Sequence, residues 1–277
     1  MDRRNFLLGS GLTLCSLPSC SDEPAPAGTA PPAPKAATPP PVLPVPKLGP
    51  QPPDGRQVTY AQQGEDLMLM QALSMLGVTK PRYLDIGAFH PTIGSNTYLA
   101  YLSGGQGVLV EPNPPMAKML SEVRPRDVVV NAGVGVGEAE SAPYYLIRDR
   151  PQLNTFSKEQ VDRYLAQGRA LENTIDMKLV LVDALIEQHF TKGLDLLSID
   201  VEGLDLEILT SMSEGGVRPT VICVETAVFD SSALVRPAIE LLRARGYAVR
   251  GGSMINTMFV DERALQAKAP EGAMLSL

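Results

Sequence analysis

Apolar and polar positions alternate along this chain in two periods, beginning near Tyr60. Leu67, Met70, Leu73 and Leu76 recur at helical spacing and Gly77 follows, which predicts a first helix ended by a glycine. The run 83–88 then reads as a strand and its turn, 96–103 as a helix, and 107–111 as a second strand. Residues 114–123 read as a helix with proline in its first turn, and 127–131 as a third strand. Between 143 and 182 the pattern is less regular, with one helix predicted at 158–167. A short helix at 183–189 leads to Leu194-Asp195-Leu196-Leu197-Ser198-Ile199, apolar at nearly every position, as a strand buried on both faces should be. The run breaks at Asp200, Glu202 and Gly203, before a helical stretch at 204–212. A strand at 219–225, a helix at 232–245 and an antiparallel pair (247–249 with 255–260) complete the series. Strands alternating with helices imply an α/β domain with a doubly wound, mostly parallel sheet.

Before Tyr60 the pattern is of another kind. Met1-Asp2-Arg3-Arg4-Asn5 is a cationic start, and Phe6 to Leu17 is an apolar run too short to cross a bilayer as a helix. Residues 1–20 thus have the layout of a signal peptide. Arg3-Arg4-Asn5-Phe6-Leu7 resembles a twin-arginine export signal. Leu17-Pro18-Ser19-Cys20 resembles a bacterial lipobox, in which Cys20 would be lipidated and anchor the protein to a membrane. The expected location is then the bacterial periplasm or cell envelope; an uncleaved start on a cytoplasmic protein is the alternative. Residues 21–57 hold about half of the chain's 25 prolines, and such a segment buries too little apolar surface to order itself. It reads as a linker with a reach on the order of 100 Å at about 3.1 Å per residue. The folded domain is expected over 58–277.

Composition narrows the partners. The net charge of -7 leaves no basic footprint for a nucleic acid. Cys15 and Cys20 lie in the leader, so Cys223, inside Val221-Ile222-Cys223-Val224, has no disulfide partner in the domain and reads as a small core hydrophobe.

The candidate chemistry sits at strand ends. Asp85-Ile86-Gly87-Ala88 puts an acid and a glycine after the first strand, where glycine permits a tight turn and close approach of a ligand. No G-x-G-x-x-G dinucleotide fingerprint is present, and Asp85 could equally cap its own turn. Glu111, ending the second strand, is placed to accept both hydroxyls of a cofactor ribose. Asn131, ending the third, would lie near a nucleobase. Asp200 and Glu202 are candidates for proton abstraction, Asp200 also for cofactor contact. Their alternatives are that Asp200 only orients the cofactor and that Glu202 caps the next helix. His90 in Phe89-His90-Pro91 is a base, an acceptor contact or a loop-packing residue. No metal ligand set is apparent by spacing.

Tyr83-Leu84-Asp85-Ile86-Gly87-Ala88, Glu111-Pro112-Asn113, Val182-Asp183-Ala184-Leu185, Leu197 to Gly203 and Val221 to Glu225 together resemble the FkbM family of S-adenosylmethionine-dependent methyltransferases. The resemblance covers about residues 60 to 260, with Gln63-Gly64-Glu65-Asp66 and Ser95-Asn96-Thr97-Tyr98 similar to one branch of the family. It implies a Rossmann-like fold of the class I methyltransferase type, S-adenosylmethionine as cofactor, and O-methylation as the commonest chemistry. The acceptor it implies is a hydroxyl on a glycan or small molecule. Export favours a competing reading, because the donor is made in the cytoplasm: a surface-anchored binding module that keeps the fold without turnover.

Overall fold

The computed structural model describes residues 57–226 and 235–268. The predicted signal segment (1–20), the linker up to residue 56, and the start of the helix predicted at 232–245 lie outside the described residues. The first half of the domain runs α1 (Glu65–Met75), β1 (Arg82–Ile86), α2 (Tyr98–Leu102), β2 (Gln106–Val110), α3 (Pro114–Val123), β3 (Val128–Val130), β4 (Gly133–Gly135), β5 (Ser141–Ile147) and α4 (Lys158–Ala166). The second runs β6 (Leu171–Leu181), α5 (Val182–His189), β7 (Leu194–Ile199), α6 (Asp205–Ser211), β8 (Pro219–Glu225), α7 (Val235–Ala244), β9 (Tyr247–Gly252), β10 (Asn256–Asp261) and α8 (Glu262–Lys268).

Seven strands form the main sheet in the order β3-β2-β1-β7-β8-β10-β9. β1, β2, β3, β7 and β8 are parallel to one another, and β10 enters antiparallel between β8 and β9. β7 is buried at all six positions because both sheet faces are covered. On one face Ile86, Leu197, Ile199, Ile222 and Val224 pack with Leu185 and Ile186 of α5, Ile208 of α6 and Leu242 of α7. On the other, Tyr83, Leu196, Val221 and Cys223 pack with Leu69 and Leu73 of α1, Tyr98 of α2 and Leu120 of α3. In α1 the innermost positions are Leu69 and Leu73, whereas Leu67 and Met70 of the predicted stripe are half-buried.

Two departures from the predicted elements matter for the site. The irregular region 143–182 supplies β6 and most of β5 to a second sheet, β4-β6-β5, with β5 antiparallel to β6. β6 buries a single residue fully, Met177, so its surface carries little of the alternation from which strands are read. The helix predicted at 96–103 begins only at Tyr98. Ser95, Asn96 and Thr97 are buried and bind side chains instead: Ser95 Oγ accepts from the Tyr98 N–H (3.1 Å), Asn96 Nδ2 donates to Ser198 Oγ (3.3 Å), and Thr97 donates to Asp85.

These hydroxyls belong to a buried ionic network. Arg124, at the end of α3, is fully buried and donates through Nε to Asp127 at 2.8 Å. Its Nη2 donates to Tyr83 OH and Thr97 Oγ1, both at 3.1 Å. The guanidinium lies within 6.0 Å of the ring centroids of Tyr83, Tyr98 and Tyr101. Nothing in the spacing of apolar residues anticipates it.

Candidate active site

The cleft opens beyond the carboxyl ends of β1, β2 and β7, where the strand order reverses and open α/β sheets hold ligands. It is a cavity of about 290 Å³, walled by Ile86, Gly87, Val110, Glu111, Ala132 and Val134 on one side and Asp200, Glu202, Leu204 and Ile208 on the other. That volume is at the lower end of the range for small-molecule clefts, about 300–1,000 Å³.

Gly87 is required by the backbone. Its φ is +84°, and a Cβ there would lie 1.8 Å from the carbonyl oxygen of Asp200. The turn is tied on both sides, since Gly87 N–H donates to Val110 O at 2.9 Å and Asp200 N–H donates to Ile86 O at 3.0 Å. Phe89 follows with a φ of 46°, a left-handed conformation that costs a non-glycine residue about 1–3 kcal/mol. That turn aims the Phe89 N–H at Glu111 Oε2 (2.8 Å), while the Asn113 N–H donates to Oε1 (2.7 Å). Each carboxylate oxygen of Glu111 thus has one fixed donor and a further lone pair to offer the cavity. Burial raises Glu111 to about 7, against the lowering effect of those two backbone donors.

The other predicted contacts fall elsewhere. Asp85 is buried on the opposite face of β1 from Ile86, and its carboxyl accepts from Thr97 and joins the Arg124 network. Successive strand residues face opposite sides, which sets Asp85 behind the cleft wall and not on it. Asn131 is exposed, and its Nδ2 donates to the carbonyls of Glu111 (2.8 Å) and Pro112 (3.0 Å). The wall at the end of β3 is formed by Ala132, Gly133 and Val134. His90 Nδ1 accepts from the backbone N–H groups of Thr92 (3.2 Å) and Ile93 (3.0 Å), so the ring closes its own loop and does not line the cavity.

Asp200 and Glu202 both line the cavity, and four residues unselected by sequence reasoning, Tyr164, Thr155, Asp205 and Glu225, surround them. Glu202 has a φ of 56°, and its Oε2 accepts from Tyr164 OH of α4 at 2.8 Å. Its carbonyl accepts from Thr155 Oγ1 at 3.0 Å, so the turn after β7 is clamped from the small-sheet side. Glu202 does not cap α6, whose N-cap residue is Leu204; the turn before that helix is held by Asp205, whose carboxyl accepts from the N–H groups of Val201 (3.2 Å) and Gly203 (3.3 Å). Asp200 emerges beside Glu225, the last residue of β8, because Ile199 and Val224 are opposite each other in the register of β7 and β8. Burial first, then the charges of Asp205, Glu202 and Asp85, push Asp200 well above the usual carboxylate range. Tyr144 of β5, with Asn154 and Phe156 from the following loop, closes the cavity from above. Among the described residues no three His, Cys, Asp or Glu side chains are grouped to hold a metal ion.

A cleft at the carboxyl ends of β1, β2 and β7, with a buried acid ending β2, on a sheet of this strand order, is the architecture of class I S-adenosylmethionine-dependent methyltransferases. Residues 85–249, more than half of the chain, match the model of the methyltransferase FkbM domain. The chain belongs to that family, and its cofactor is S-adenosylmethionine. No curated protein matches it in sequence. Among solved structures it is similar to a TehB-like S-adenosylmethionine-dependent methyltransferase from Corynebacterium glutamicum, at 9% identity and a TM-score of 0.38, over 71% of this chain and 87% of that one. It is also similar to an O-methyltransferase from Bacillus cereus in complex with S-adenosylhomocysteine, at 14% identity and a TM-score of 0.38, over 71% of this chain and 80% of that one. At such scores these likenesses add nothing to the strand order.

Glu111 leads to a pH prediction. Its raised value means that the folded protein, without donor, keeps a proton that the unfolded chain releases above about 4.5. Stability therefore falls as pH rises from 4.5 towards 7, by about 3 kcal/mol in all for this group, and is level beyond. Asp205, raised to about 6 by burial, acts in the same direction. Thermal unfolding of donor-free protein between pH 5 and 8 should show the midpoint falling, and Glu111→Gln should flatten the fall. An identical pH slope in the variant would remove the assignment.

Proposed function

We propose that this protein transfers the methyl group of S-adenosylmethionine to a hydroxyl of a glycan or small molecule, from a site in the bacterial cell envelope. The observation that carries the chemistry is the placement of Asp200 on the cavity wall beside a second carboxyl, that of Glu225. The residues present fit the cofactor. Glu111 offers two lone pairs to ribose hydroxyls, Ala132 and Val134 offer an apolar wall to a base, and Asp200 and Glu202 offer negative charge to a sulfonium. When bound, the cofactor supplies an activated methyl group, whose bond to sulfur breaks as the bond to the acceptor oxygen forms, the electron pair staying on sulfur. The chain's own residues then position the acceptor and take its proton, and Asp200 is the base. Asp85 acts indirectly, through Thr97 and the strand end it braces.

Two measurements test this reading. Full-length protein offered labelled S-adenosylmethionine with glycan and small-hydroxyl pools should incorporate label into an ether; binding without label in any pool would favour the module that lacks turnover. In calorimetry, Glu111→Ala should weaken donor binding by about tenfold or more, the value of a charged hydrogen bond to the ribose. Unchanged affinity would take Glu111 out of the site.

The envelope location is supported by the twin-arginine and lipobox-like stretches at Arg3-Arg4 and Leu17 to Cys20. Cys20→Ala should release the protein from membranes in cell fractionation. Arg3→Lys with Arg4→Lys should hold it in the cytoplasm. Membrane association that survives the Cys20 change would count against the lipid anchor.

A further inference from the structure

Glu225 has no place in the site as read from the sequence, yet it is the residue through which the transfer end of the cavity is organised. β8 lies parallel to β7, with Val224 opposite Ile199, so the next residues along, Glu225 and Asp200, emerge side by side at the carboxyl end of the sheet. Two carboxyls set side by side at adjacent register positions repel each other when both are ionised, and sharing one proton between them removes that repulsion. Asn256 of β10 pairs with Glu225 across the other edge of β8 and brings no charge. The charged and titratable groups that face the pair among the described residues are Glu202 and Asp205 after β7, Asp85 on β1 and Tyr164 on α4. No cationic side chain is among them, so the shared proton is what relieves the repulsion.

Resting on the methyl-transfer reading, we propose that Glu225 is a positioning residue that stays protonated and donates to Asp200, keeping the Asp200 carboxylate ionised and aimed into the cavity. The division of roles follows from access. Asp200 lines the cavity and Glu225 does not. During transfer the acceptor's hydroxyl proton passes to Asp200. The pair, which began with one proton, then holds two and returns one to solvent when product leaves. A lone carboxylate in the same acidic surroundings would protonate at higher pH and fail as a base near neutrality.

The test uses full-length protein and the variants Glu225→Gln, Glu225→Ala and Asp200→Asn. Infrared spectroscopy at pH 8, without donor or acceptor, reads the carbonyl absorption of protonated buried carboxyls. Wild type minus Glu225→Gln should show one such absorption, lost in the variant, because the amide donates to Asp200 without a shared proton. Identical spectra would overturn the proposal whatever the acceptor is. In turnover, Glu225→Ala should lower the rate at pH 7 by about 10- to 100-fold and move the acid limb of the pH profile upward, the loss of one charged hydrogen bond to the base. Glu225→Gln should recover most of that rate with the limb restored. A limb unmoved in Glu225→Ala would also overturn it. Wild type that methylates nothing, yet shows the absorption, would refute the O-methylation reading and leave the shared proton standing.

Discussion

Asp200→Asn is expected to lower turnover by about 10²–10⁴-fold, the usual contribution of a general base, while changing donor affinity far less. The substitution keeps size and shape, and the new amide can donate to Glu225, so the fold should remain cooperative. The lost element is the lone pair that takes the acceptor's proton. Asp200 stands at the end of a strand buried at every position, and its N–H is fixed to Ile86 O at 3.0 Å, so the carboxyl is presented by a rigid support. Its neighbours matter as much as its position. An isolated exposed aspartate is ionised at neutral pH but weakly basic, whereas burial and the charges of Asp205 and Glu202 raise this one and make it a stronger base. If Asp200 only orients the donor, affinity and turnover should fall together. Steady-state kinetics alongside calorimetry separates the two, and a parallel loss would return the base role to Glu202.

The α/β class, the parallel sheet and its antiparallel closing pair were legible because each strand carries its own apolar run and each crossover its own helical period. Glu111 was legible for a related reason: a charged residue directly after an apolar strand points to the strand's carboxyl end. What stayed hidden depends on contacts between distant residues. The small sheet exposes most of β6, so the strand against which β5 pairs, setting Tyr144 over the cavity, leaves little hydrophobic signature. Glu225 ends β8 as Glu111 ends β2, but its meaning arises only from the register that sets it beside Asp200. Asp85 shows the converse. It sits in the expected motif, yet strand alternation turns it behind the wall, where a network assembled from α2, α3 and β1 absorbs its charge.

That network is the basis of the second large expectation: Arg124→Met should destabilise the protein by about 3–5 kcal/mol, the cost of removing one partner from a buried ion pair. Exposed pairs are worth far less, about 0–1 kcal/mol, so the size of the effect distinguishes the two cases. Arg124 and Asp127 side chains are both fully buried, 2.8 Å apart. With the guanidinium gone, Asp127 would keep its bonds to Tyr83 OH (2.8 Å) and the Gly107 N–H (2.8 Å) but lose its counter-charge. Asp85 would also lose the cation that lowers the cost of its burial. Methionine fills most of the volume between Tyr83, Tyr98 and Tyr101, so the loss should be electrostatic and not a cavity effect. Urea unfolding of the full chain should show the midpoint falling with an unchanged slope. Adding Asp127→Asn to the variant should recover part of the loss, because the stranded charge is then removed. A single-variant loss below about 1 kcal/mol, or no recovery in the pair, would mean that the network is only packing and that Asp85 does not depend on it.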